Sequence, residues 1–172
     1  MLTTLTLLLA LAPSPRALAQ AAPADAPAST AALRGVHFTG WAAGVPRVRR
    51  RFVADMKANG FNAVAIALKD YEGQVFVRNV PLSMKTGAFV NAIPDLPAAV
   101  RDFKEAGIYT IARIAIFKDD HLARARPDLA VHFPDGRIWA NDKGTAWVDP
   151  YKTEVWDYAL DIASRAALAG FD

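Results

Sequence analysis

One punctuation mark recurs three times in this chain. A helix-patterned stretch closes on a glycine that is followed at once by an apolar residue, in Asn59-Gly60-Phe61, Ala106-Gly107-Ile108 and Ala169-Gly170-Phe171. Glycine just past the last periodic residue is the common helix stop, because it takes a left-handed backbone conformation without steric cost. After the first two glycines a strand-like run begins within three residues. Strand, helix, glycine and strand again implies a parallel sheet with right-handed crossovers. After the third glycine pair comes Asp172, where a fourth strand is due. The expectation is the front part of a longer catalytic domain.

The repeating units can be placed residue by residue. Gly35 to Thr39 reads as a first strand, with a loop over Gly40 to Gly44. Pro46 suits the first turn of a helix whose apolar stripe is Val48, Phe52 and Met56. Ala63 to Leu68 is a nearly all-apolar second strand, as expected when both faces are covered, and it ends in Lys69-Asp70. A long loop, Tyr71 to Pro94, carries a short extended piece at Gln74 to Val77. Asp95 is the expected cap of a second helix with Leu96, Val100 and Phe103 inward. Tyr109 to Phe117 is the third strand. Residues 121–150 form another long loop, with a helical turn near His121 to Arg126 and a tight turn at Pro134-Asp135-Gly136. Thr153 to Ala169 is the third long helix, striped by Val155, Ala159, Ile162 and Ala166.

Two architectures satisfy this order, an open doubly wound sheet and an eight-stranded barrel. No Gly-x-Gly-x-x-Gly or Gly-Lys-Ser/Thr follows a strand, so the nucleotide-binding open sheet loses weight and no cofactor is expected. Long loops after the second and third strands favour the barrel, where such loops build the site. The fold expected is the N-terminal portion of a (β/α)8 TIM-type barrel: three βα units, truncated before the fourth strand. Residues 34–172 are about half of the ~250 residues of a complete barrel.

The segments before the barrel have their own pattern. Leu2 to Ala12 is an uncharged apolar run too short for a stable membrane anchor, and Ala17-Leu18-Ala19 offers the small residues a signal peptidase reads. Residues 1–19 are therefore expected to be a signal peptide, with export to the periplasm or the extracellular space, although no Lys or Arg precedes the run. Residues 20–33, rich in Ala, Pro, Ser and Thr, read as a flexible linker. The formal charge is +3, and +2 without residues 1–19, which is too weak to argue for nucleic acid. Arg47, Arg49, Arg50 and Arg51 lie on one helix and read as a solvated outer face. With no cysteine, disulfides and thiolate metal sites are excluded, and His37, His121 and His132 lack metal-pair spacing. No Gly-x-Ser-x-Gly elbow is present.

Charged groups that end buried strands need a wet cavity or a partner. Lys69 and Asp70 are the first candidates. Alternation puts Ala63, Ala65, Ala67 and Lys69 on one face and Val64, Ile66 and Leu68 on the other. The alanine face suits the barrel interior, with Lys69 at its mouth. Arg113, inside an apolar strand, must find a carboxylate or a ligand. Asp149 before Pro150 has helix N-cap chemistry, and a substrate role is the alternative. Trp41, Tyr71, Trp139 and Trp147 fall in loops on the expected active face, where rings can stack on sugars.

Gly35-Val36-His37-Phe38-Thr39-Gly40-Trp41, Asn62 through Lys69-Asp70, Gly107 through Ile114 with Phe117-Lys118-Asp119, Arg126-Pro127-Asp128-Leu129-Ala130-Val131 and Trp147-Val148-Asp149-Pro150 together resemble the bacterial putative glycoside hydrolase domain. The resemblance covers Arg34 to Asp172 in order and implies a (β/α)8 barrel acting on a polysaccharide or oligosaccharide. It also implies that the main catalytic carboxylate lies on a strand following Asp172. The family commonly has an aspartate two residues before the position of Lys69, and here that residue is Ala67. Glycoside hydrolysis usually needs two carboxylates. This chain offers Asp70, Asp119, Asp120 and Asp149 on the expected side, with Asp70 the candidate catalytic residue and Lys69, Arg113, Trp41, Trp147 and Asp149 the candidate substrate-binding set. The expectation is an exported glycoside hydrolase present as an inactive fragment that self-associates through exposed strand edges. The alternatives are a carbohydrate-binding or cell-envelope barrel without catalysis and, more remotely, a barrel enzyme for small phosphorylated metabolites.

Overall fold

The computed structural model describes residues 32–172. The expected signal peptide and most of the linker lie outside these residues. Three parallel strands, β1 (Gly35–Phe38), β2 (Ala63–Lys69) and β3 (Tyr109–Ile114), form one sheet in the order β1-β2-β3. The first crossover holds a short α1 (Gly40–Ala43) and α2 (Pro46–Ala58). The second holds α3 (Pro81–Thr86) and α4 (Leu96–Lys104). After β3 come α5 (Asp120–Ala125), a single 3-10 turn at Pro127–Leu129, and α6 (Thr153–Leu168).

The glycine stops work as the sequence suggests, and they share one geometry. In each, the glycine has positive φ (68° at Gly60, 74° at Gly107, 92° at Gly170). The apolar residue behind it donates back across the last turn: Phe61 to Met56, Ile108 to Phe103, and Phe171 to Ala166. This is the Schellman closure, which satisfies carbonyls that a helix end would leave bare. The next residue then joins the sheet. Asn62 N donates to Arg34 O (3.0 Å), Tyr109 N to Asn62 O (2.8 Å) and Asp172 N to Thr110 O (3.1 Å). At the first and third of these junctions a side chain adds a clamp. Asn62 Oδ1 accepts from Arg34 N at 2.6 Å, and Asp172 Oδ2 accepts from Thr110 N at 3.0 Å.

The core lies between the sheet and the helices. Val64, Ile66 and Leu68 are fully buried in it, as the alternation on β2 predicts. Phe38 stacks on Phe52 at 4.3 Å and meets Phe103 edge-on at 5.6 Å, tying β1 to α2 and α4. Leu96, Val100 and Phe103 of α4 and Val155, Ala159, Ile162 and Ala166 of α6 are all buried. Asp95 Oδ1 caps α4 through Ala98 N at 2.9 Å.

Several expectations are corrected. Val48 of α2 is 41% exposed, while Arg49, expected on the solvated face, is 4% exposed. Its guanidinium reaches Asp102 of α4 at 2.8 Å and Ala43 O at 2.6 Å, so a paired arginine takes the inward position. The loop 71–94 contains a helix, α3, closed by Gly87 at φ 76°. The loop after β3 folds into a small ladder of antiparallel bridges, Ala130↔Val148, His132↔Ile138 and Ala140↔Ala146. β3 ends at Ile114, short of the expected Phe117. Asp149 does not cap α6, whose cap residue is Lys152. Its Oδ1 accepts from Tyr151 N (2.9 Å) in the turn before the helix.

Candidate active site

The strand C-termini converge on one rim. β2 carries a bulge there: Ala67 pairs with Arg113, but Lys69 pairs with Ile114, so one extra residue is inserted. Lys69 is therefore not the open-mouth lysine that simple alternation predicts. Its side chain is 1% exposed. Nζ lies 2.9 Å from Asp119 Oδ2 and donates to Ala115 O at 2.5 Å. Burial pushes the Lys69 ammonium below its usual value, and Asp119 pulls the other way.

Asp119 itself is wholly buried and caps α5 through Leu122 N at 2.8 Å. The Nζ–Oδ2 approach is a close ion pair without hydrogen-bond alignment, which leaves Oδ2 free of any aligned donor among the described residues. Tyr158 of α6 has its hydroxyl buried without a hydrogen-bond partner among the described residues. Burial first, and the Asp119 carboxylate second, push that phenol well up. The position of Asp119 just before the helical turn was its one legible signal, since N-cap chemistry favours Asp there.

Asp70 directly follows this pair. Its Oδ1 accepts from three backbone amides, Glu72 at 3.0 Å and Gly73 and Gln74 at 2.9 Å, while no hydrogen bond engages Oδ2 among the described residues. One oxygen thus organises the turn and the other is available. Asp120 is not available. Arg124 (2.9 and 3.0 Å) and Ala146 N (2.7 Å) occupy it, and the Arg124 hydrogen bond holds its carboxyl below the usual range.

The aromatics divide into two groups. Trp41 sits on α1, not in a loop. It is 57% exposed and meets Phe76 of the β2 loop edge-on at 6.1 Å. Tyr71 is 51% exposed, with the Lys118 ammonium 4.6 Å from its ring centre. These two share the rim with Asp70. Trp147 instead packs edge-on against Trp139 at 6.4 Å within the ladder after β3, and its indole N–H is buried without a partner among the described residues. Asp149 belongs to that same ladder segment.

Arg113 stands apart from the buried pair, exposed on the sheet face opposite the helices. His37, Ala65 and Ile111 form one row of that face, and Ala67 and Arg113 the next row toward the rim. His37 is exposed there too, a placement that its lone position in a short strand did not signal. Among the described residues no three His, Asp or Glu side chains converge as a metal site would require. No helix among them is long and apolar enough to cross a membrane.

A family model described as "Putative glycosyl hydrolase domain" matches residues 35–172. The chain belongs to this family. This chain is similar to a hypothetical protein from Ruminiclostridium thermocellum ATCC 27405, with 30% identity and a TM-score of 0.74 over 80% of this chain and 72% of that one. It also resembles a glycoside hydrolase family 20 beta-N-acetylglucosaminidase, with 16% identity and a TM-score of 0.56 over 80% of this chain and 34% of the other. TtGalA, the alpha-galactosidase from Thermus thermophilus in complex with stachyose, gives 18% identity and 0.53 over 81% and 31%. At such identities the last two show the fold alone: the domain holds three consecutive βα units of a TIM-type barrel and spans about a third of those chains. Comparison with curated proteins found no match.

Proposed function

We propose that the domain acts on a polysaccharide, with the rim at the ends of β1 to β3 facing the glycan and Asp70 as the acid–base or substrate-binding carboxylate. The observation that carries this is one arrangement: a carboxylate oxygen left unengaged on Asp70, on a rim that also presents the exposed rings of Trp41 and Tyr71. Family membership supports a carbohydrate substrate. Barrel enzymes place their chemistry at this end of the sheet.

Hydrolysis of a glycosidic bond generally needs two carboxylates about 5 Å apart, or further for inversion. Asp119 is sealed and Asp120 is tied to Arg124. Asp149 sits in the ladder segment after β3 with Oδ1 engaged by Tyr151 N, so none of the three stands as a free partner acid for Asp70, and this chain by itself is expected to bind glycan without useful turnover. A reducing-sugar assay across a polysaccharide panel, run beside Asp70→Asn, tests this. No release above the variant is expected, while robust Asp70-dependent release would overturn the inactivity. Failure to bind any glycan would overturn the carbohydrate reading.

A second reading is a carbohydrate-binding or cell-envelope barrel without catalysis. The turn-forming role of Asp70 Oδ1 and the small Ala67 on the inner face favour it. Binding without product release by a longer protein carrying this domain would support that reading, and turnover would remove it. Export rests on residues 1–19. Expression in a bacterial host should yield a periplasmic or secreted product beginning at Gln20, and a cytoplasmic, unprocessed product would reject it. Self-association through strand edges is tested by size-exclusion chromatography, where a monomer at all concentrations would exclude it.

A further inference from the structure

We propose that Asp119 is a positioning residue for Asp70. By holding the Lys69 ammonium, it leaves Asp70 a carboxylate oxygen for the sugar and spares it the part of counterion to a buried lysine. The inference rests on the carbohydrate reading above and adds to that site a residue that does not touch the ligand. Lys69 and Asp70 are consecutive, and the groups involved lie in β2, the turn that follows it and the start of α5. Lys69 is 1% exposed, and an ammonium taken out of water needs an acid close by. Burial works against its charge, Asp119 supports it most, and Asp70 adds a weaker pull. Geometry divides the two acids. Asp119 Oδ2 stands 2.9 Å from Nζ, and Ala115 O accepts from the same ammonium. Asp70 forms no ion pair with Lys69 among the described residues. Its Oδ1 is taken up by the amides of Glu72, Gly73 and Gln74.

Asp119 is itself held in place. Its Oδ1 accepts from Leu122 N at 2.8 Å at the head of α5. The Asp70 turn runs directly against that same oxygen, since a Cβ at Gly73 would lie 2.1 Å from it. His121 N donates to Glu72 O at 3.2 Å, and His121 Nε2 lies 2.8 Å from Thr86 O. The start of α5 therefore grips the lysine before Asp70 and the turn after it. With Asp119 made neutral, Lys69 would keep only a carbonyl, and the remaining acid that attracts it is Asp70. The free oxygen of Asp70 would then turn from the rim to the lysine.

The test is a substitution cycle on the 172-residue chain. It is read by the urea midpoint and by calorimetric binding of cellohexaose, xylohexaose and chitohexaose to the folded chains. Asp70→Asn should barely move the midpoint of the parent. In Asp119→Asn the same substitution should lower the midpoint distinctly, because it then removes the counterion of the lysine. In Lys69→Met with Asp119→Asn no ammonium remains, and its effect should return to the size seen in the parent. Binding should follow the same order: Asp119→Asn weakens it about tenfold, and adding Lys69→Met restores it. Sucrose, which favours the folded chain, keeps Asp119→Asn measurable. An effect of Asp70→Asn that is equal in all three backgrounds overturns the role of Asp119 and leaves the carbohydrate reading standing. Binding at parent strength in Asp119→Asn does the same. No binding of any probe by the parent overturns the carbohydrate reading, and the role of Asp119 with it.

Discussion

Lys69 at the end of β2 and Asp119 at the start of α5 face each other at 2.9 Å, with side chains 1% and 0% exposed. Two long loops thus share one buried ionic anchor. An ion pair out of water depends on both partners, since removing one leaves an uncompensated charge.

Lys69→Met should therefore cost about 3 kcal/mol or more in urea unfolding. The double variant Lys69→Met with Asp119→Asn removes both charges while the amide still accepts from Leu122 N, and it should recover much of the loss. A double variant no more stable than Lys69→Met would show that the pair is not the anchor.

Tyr158→Phe should be neutral or stabilising by about 1 kcal/mol, because it deletes a hydroxyl buried without a partner among the described residues. The same variant has a pH signature. The folded chain keeps the phenolic proton where the unfolded chain, with a usual value of 10.0, loses it. Stability should fall as pH rises above about 10 in the parent and fall less in Tyr158→Phe. Identical alkaline slopes in denaturant titrations would reject this.

Gly73→Ala should be among the most damaging single methyl additions. A Cβ at Gly73, where φ is 103°, would stand 2.1 Å from Asp119 Oδ1 and 2.8 Å from His121 Cβ. Backbone strain and collision together predict a loss of about 2 kcal/mol or more, read as a lowered thermal midpoint. A loss below about 0.5 kcal/mol would mean that the turn over Asp119 is soft.

Asp70 is expected to separate into two roles by substitution. Asp70→Asn retains an oxygen for the three amides and should change stability by less than about 1 kcal/mol, while weakening any glycan-dependent function. Asp70→Ala loses the turn as well and should be clearly less stable. Equal stability of the two variants would deny the turn its role.

The alternation of elements was legible because periodicity and glycine stops report local physics. The stripes of α4 and α6 and the cap at Asp95 came from the same source. Pairings between distant segments were not legible. Arg49 looks like a surface charge until Asp102 of the next crossover helix is placed against it, since hydrophobic patterning does not register a polar pair that goes inside. The bulge in β2 shifts Lys69 from the expected mouth of the sheet into contact with Asp119, and no residue between Ala67 and Lys69 announces it. α3 is not legible in the sequence because six residues give too little periodicity. At the rim, Asp70, Tyr71 and Trp41 are legible from their places at strand ends, whereas the sealing of Asp119 and the exposure of Arg113 depend on tertiary packing.

The Schellman closures with their Asn62 and Asp172 clamps also bear on how the sheet assembles. Each incoming strand is zipped to its predecessor at its first residue, by bonds between units adjacent in the chain. Sliding β2 by one position would break the backbone bond and the Asn62 clamp together. These closures span tens of residues (28 from Arg34 to Asn62, 62 from Thr110 to Asp172), so a strand is fixed only once the whole crossover before it has left the ribosome, and assembly runs in chain order.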